Sequence, residues 1–171
     1  SVFMRKWQAL PQFQYTRGIL RLLAFWIASV HQDGYSKVYS DPLISLGAAP
    51  LEDLNFRNTV REQLGNDQRL KAPIFTDIVG REAFAPRLDN EAADDIKHDR
   101  LHQKTALVIF FESIAGIHET TSVEATAPEI RFAVGEPAMQ IEHVDTVLDA
   151  LAAHCYYLAR ENKRYRFRLI P

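Results

Sequence analysis

The longest apolar stripe in the chain falls at Ile19, Leu22, Leu23, Trp26, Ile27 and Val30. Steps of three and four put these side chains on one face of a helix. The spacing predicts a helix from Thr16 to about His31. Thr16 suits the N-cap, because its hydroxyl can accept from a free N–H of the first turn. Gly34 suits the position just past the helix end. Residues 3–9 predict a short upstream helix, stopped by Pro11. Residues 36–47 read as extended chain or a short strand, with Leu43, Ile44 and Leu46 as its buried part. A second helix is predicted over 51–64, with Leu54, Phe56, Val60 and Leu64 apolar, and Gly65-Asn66 stops it.

Residues 65–95 are the least regular. Ile74 to Gly80 predicts a short strand or a buried turn, and Phe84-Ala85-Pro86 is expected to break any helix there. Acids between Asp89 and Asp95 suit the start of the next helix, predicted over 96–115. Its second half, Ala106 to Phe111, is apolar all round and should be buried on most sides. A polar loop is predicted over 116–127. Pro128 suits the first turn of a short helix to Val134. Glu142 to about His154 is helical by the spacing of Val144, Val147, Leu148, Leu151 and Cys155. Then the period changes: Tyr165, Phe167 and Leu169 alternate with Arg164, Arg166 and Arg168, which is a strand. Tyr156-Tyr157-Leu158 can pair with it through a turn near Glu161-Asn162-Lys163. Helix, loop, short helix, helix and hairpin is the winged-helix order. The expected fold is therefore mainly α with a small β part. Residues 1–90 form a helical segment with an irregular connector, and 91–171 form a winged-helix-like domain ending in a β-hairpin.

Composition changes this picture little. A length of 171 residues allows one domain or two small ones with a real core. Hydrophobic content of 47% and charged content of 25% are those of a globular protein, not of a disordered one. The single cysteine, Cys155, excludes an internal disulfide and fits a reducing, cytoplasmic compartment. The run from Ile19 to Val30 is interrupted by Arg21 and too short to span a bilayer, so no membrane association is expected. The chain enters helical pattern almost at once and stops just after a strand. Both ends read as cut from something longer.

Net charge is −2, which predicts no whole-molecule attraction to nucleic acid. The distribution is uneven. Residues 82–154 carry 5 basic and 14 acidic side chains, and residues 155–171 carry 5 basic and 1 acidic. The basic group Arg160, Lys163, Arg164, Arg166 and Arg168 lies on the predicted wing and is the candidate nucleic-acid contact. A solvated edge hairpin carries such charges too. The preceding helix, which enters the major groove in DNA-reading winged helices, holds Glu142, Asp145 and Asp149 and no Lys or Arg. That composition favours a packing or protein-contact role over DNA readout.

Other chemistry is sparse. No G-x-x-x-x-G-K-[ST] phosphate loop is present, so this chain should not hydrolyse a nucleotide alone. His98 and His102 have the spacing of a metal-ligand pair, but no third ligand stands out, and the expected state is two solvated histidines. Cys155 beside His154 is not a dyad, because adjacent helical residues point apart. No catalytic or metal-binding residue is expected, and no cofactor in this chain.

Several runs together resemble one family: Leu10-Pro11-Gln12-Phe13-Gln14 with Thr16-Arg17-Gly18, Asp41-Pro42-Leu43-Ile44, Asp77-Ile78-Val79-Gly80, Ile109-Phe110-Phe111-Glu112-Ser113, Pro128-Glu129-Ile130-Arg131, Ala133-Val134-Gly135-Glu136-Pro137 and Cys155-Tyr156-Tyr157-Leu158 with Arg164-Tyr165-Arg166-Phe167. The chain resembles the C-terminal part of large, uncharacterised AAA+-type P-loop ATPases of phage-defence islands. The resemblance implies that residues 1–90 are lid-like and that ATP and magnesium serve the parent protein. It implies that Arg17, near the start of a lid helix, senses the γ-phosphate. The implied partners are the upstream ATPase core and proteins of a defence complex. The reading is a non-catalytic regulatory and interaction region, with a winged-helix module anchoring the ATPase on duplex DNA as the alternative.

Overall fold

The computed structural model describes residues 15–36, 45–114, 123–135 and 141–170, and side chains within the first segment only at 18 and 20–32. The protein is mainly helical, with a small three-stranded antiparallel sheet near the C-terminus.

Helix α1 spans Tyr15–Ser36. It is longer than predicted: Thr16 lies inside it rather than capping it, and Gly34 continues it rather than ending it. Leu22 and Trp26 face inward on α2, Leu54–Gln63. Gly18 allows a close approach, since a Cβ there would collide with the Gln63 side chain. Arg21 adds an ion pair to Glu62 at 3.0 Å. Helix α2 starts where Asp53 accepts from the Phe56 N–H at 2.8 Å. Its predicted core residue Leu54 is instead 59% exposed, while Phe56, Val60 and Leu64 are buried.

The connector is more helical than its composition predicts. Of the stretch predicted as extended over 36–47, residues 37–44 lie outside the described residues, and Leu46–Ala48 forms a 3₁₀ turn. A 3₁₀ turn at Gln68–Leu70 leads through Lys71–Pro73 into a buried π turn, Ile74–Ile78. Helix α3 spans Phe84–Glu91, so Pro86 breaks nothing. It is the third helical residue, where the missing N–H would have had no intrahelical partner. The single helix predicted over 96–115 is two, α4 (Asp94–His98) and α5 (Leu101–Ser113). Arg100 separates them in the left-handed region, φ 50°.

Helix α5 is the axis of the molecule. Every residue in it except Gln103 is buried. Around it stand β1 (Ala125–Thr126), α6 (Ala127–Val134), α7 (Ile141–His154), β2 (Leu158–Glu161) and β3 (Arg164–Phe167). The sheet order is β1-β3-β2. Ala125 pairs with Tyr165, and Leu158 pairs with Phe167. This is the winged-helix arrangement, with β1 added where a loop was predicted. The wing turns through Asn162 and Lys163, both left-handed (φ 49° and 59°), the backbone of a two-residue hairpin. Thr126 and Glu129 cap α6 reciprocally.

The core is one cluster, with members on both sides of residue 90. Edge-to-face rings run through it: Trp26 on Phe56 at 5.8 Å, Phe56 on Phe111 at 6.4 Å, Phe111 on Phe110 at 5.4 Å, and Phe110 on Phe167 at 6.1 Å.

Candidate interaction surface

Helix α7 is the second helix of the helix-turn-helix. Val144, Val147, Leu148 and Leu151 bury one side of it. Its solvent side presents Glu142, Thr146, Asp149 and Ala153. That side carries no cation.

Two acids of α7 are engaged within the chain. Arg131 of α6 grips Asp145 with its guanidinium fork: Nε donates to Oδ1 at 3.0 Å and Nη2 to Oδ2 at 2.7 Å. Arg160 of β2 donates to Asp149 at 2.6 Å, and its guanidinium lies 5.7 Å from the Tyr165 ring centre. Tyr165 is buried, which pushes its phenol up. These pairs line a groove of about 180 Å³ between α6, α7 and the wing. The pairs are partly exposed, so each adds little stability. What they do is hold the wing and the helix-turn-helix in one register.

The other predicted wing cations divide. Arg164 and Arg166 both reach Glu124, each at 3.8 Å. Lys163 sits at the exposed turn, and its carbonyl accepts from the Ala127 N–H at 3.3 Å. Arg168 is exposed, and its N–H donates to the Tyr157 carbonyl at 2.9 Å. The structure therefore gathers the five predicted residues on one hairpin but sets carboxylates against three of them. Arg17 lies in the first turn of α1, and its side chain is outside the described residues.

Sequence reasoning missed Arg131 and Glu124, because each meets its partner only across a turn or a strand pairing. It also missed two buried carboxylates. Asp77 is fully buried in the π turn and accepts from the N–H groups of Tyr156 and Tyr157 at 2.9 and 2.7 Å. Burial raises its carboxyl above the ordinary 3.8, and the two N–H bonds oppose that shift. Asp89 of α3 accepts from the His102 and Gln103 N–H groups at 2.8 and 3.0 Å. It thus caps α5 from another helix. His102 Nδ1 lies 2.9 Å from the same carboxylate. His102 is therefore a buried structural residue, not a solvated one, while His98 is exposed on a separate helix.

Cys155 is a buried free cysteine, and burial first and the Asp77 charge second push its thiol far up, the environment of a core cysteine. His154 is bonded to the Ala150 carbonyl at 2.9 Å instead. Among the described residues no three His, Cys, Asp or Glu side chains converge as a metal site, and no helix is long and apolar enough to cross a membrane.

Comparison of the chain with protein families, with curated proteins and with solved structures gives no match.

Proposed function

We propose that this chain is a non-catalytic regulatory and interaction region of a larger AAA+-type ATPase, whose winged helix makes protein contacts. The observation that carries the reading is the state of α7 and the wing. The helix face that would enter a DNA groove presents Glu142 and Asp149. Three of the five wing cations already face Asp149 or Glu124. A surface of that kind gains little from phosphate.

Helix α1 supports the lid role. Beyond its packed face, Leu20, Leu23 and Ile27 are 61%, 42% and 54% exposed. Three large apolar side chains at helical spacing form a second face for a neighbouring domain. Arg17 heads the same helix, where a guanidinium can couple lid position to a γ-phosphate. ATP and magnesium belong to the upstream core in this reading.

The test is ATP turnover by the longer polypeptide that contains the core. Arg17→Ala and the double change Leu23→Glu, Ile27→Glu are each expected to slow hydrolysis, about tenfold or more for loss of a phosphate-sensing arginine. Unchanged turnover in both variants would overturn the reading.

The alternative, a module that anchors the ATPase on duplex DNA, draws on Lys163 and Arg168. Both are exposed, and neither makes an ion pair among the described residues.

A further inference from the structure

A groove of about 310 Å³ lies between α2 and the turns at 68–78. Its floor is apolar: Val60, Leu70 and Ile74, all buried. Leu54 and Phe75 stand at its edge, 59% and 48% exposed. Three cations, Arg57, Arg61 and Lys71, line it, and no acid does.

The charges there are left over. Several arginines elsewhere face carboxylates: Arg21 on Glu62, Arg69 on Asp67, Arg131 on Asp145 and Arg160 on Asp149. The acids nearest the groove in sequence are therefore taken, Asp53 by the α2 cap. Arg57 is fixed but not neutralised. It donates to the Leu51 and Glu52 carbonyls at 2.8 and 3.1 Å and lies 4.7 Å over the Phe75 ring. Arg61 Nε is shut off from solvent with no hydrogen-bond partner. Arg61 and Lys71 make no ion pair among the described residues.

Cations with no acid beside them and exposed large apolar side chains share this groove, and one ligand that is both acidic and apolar satisfies both. It needs an apolar side chain for the floor and carboxylates for the edge. The volume sits at the small end of ligand cavities, roughly 300–1,000 Å³, and the groove is open along one side. That shape suits one or two side chains of a peptide. Arg57 and Arg61 are one helical turn apart, which suits carboxylates spaced along such a segment.

We propose that this groove docks an acidic segment of a partner protein, with an apolar side chain on Val60, Leu70 and Ile74 and carboxylates on Arg61 and Lys71. None of its residues belongs to the winged helix, so the proposal stands or falls independently of the function proposed above.

The test is fluorescence anisotropy of this chain with a labelled peptide holding a Leu-Phe pair between glutamates, beside the same peptide with Gln for each Glu. The acidic peptide is expected to bind saturably. Arg61→Gln with Lys71→Gln, and separately the Gln peptide, should weaken binding about tenfold or more, the loss of two charge-assisted contacts. Leu54→Ser with Phe75→Ser should weaken it as well. Lys71 and Phe75 are exposed, so Lys71→Gln with Phe75→Ser carries the test should the Arg61 variant fail to fold. No saturable binding, equal binding of both peptides, or binding that survives these changes would overturn the proposal. Tighter binding of a single-stranded oligonucleotide, lost in the same variants, would overturn it in favour of nucleic acid.

Discussion

Two aspartates tie the connector to the winged helix. Asp77 closes the gap between the π turn and the start of β2, where the N–H groups of Tyr156 and Tyr157 need acceptors. Its raised carboxyl makes a pH prediction. A group that holds its proton more tightly folded than unfolded adds stability that is present below the unfolded value. That stability is lost as pH rises through the folded value. Asp77→Asn removes the titration and turns one acceptor into a donor facing an N–H. The variant is expected to be less stable by about 1–3 kcal/mol. In urea melts the gap to the parent chain should narrow as pH rises above the ordinary carboxyl value of 3.8. A gap that widens with pH would show that the carboxyl is stabilised as its anion.

At the scale of elements, local periodicity was enough wherever a helix or strand buries one regular face. That is why α7, the hairpin and the short helix after Pro128 stand within a residue or two of the reading from sequence. The failures share one cause: tertiary contacts override local signals. The break at Arg100 is invisible in the apolar pattern, because Asp89 supplies the cap of α5 from thirteen residues upstream. Pro86 reads as a breaker only until its place in the first turn is known. Pro128 was legible as the first turn of a short helix, but the Thr126–Glu129 cap was not read, and β1 before it exists only through pairing with β3. The predicted wing cations were legible as a cluster, and their pairing with Asp149 and Glu124 was not. Removing the remote cap tests this account of α5. Asp89→Ala leaves two N–H groups and the His102 ring without an acceptor, and is expected to cost about 2–4 kcal/mol of unfolding free energy. A loss below about 0.5 kcal/mol would mean that α5 caps itself.

The described fold is organised on α5: near its C-terminal end Phe111 meets Phe56 of α2, which carries Trp26 of α1, and its neighbour Phe110 meets Phe167 of β3. Residues before and after residue 90 share this core, so a push on α1 has a packed route to the wing. That continuity is what a region relaying nucleotide state to a partner requires. It also gives the ion pairs at the surface a meaning: they spend the wing's cations on internal register. The most direct measurement is anisotropy of a labelled random duplex with this chain and with Asp145→Asn, Asp149→Asn, at low and near-physiological salt. No binding by the parent chain is expected at either salt, and salt-sensitive binding is expected of the variant, in which Arg131 and Arg160 are released to phosphate. Tight, salt-sensitive binding by the parent chain itself, lost when Arg164, Arg166 and Arg168 become Gln, would contradict it and make the wing a DNA contact.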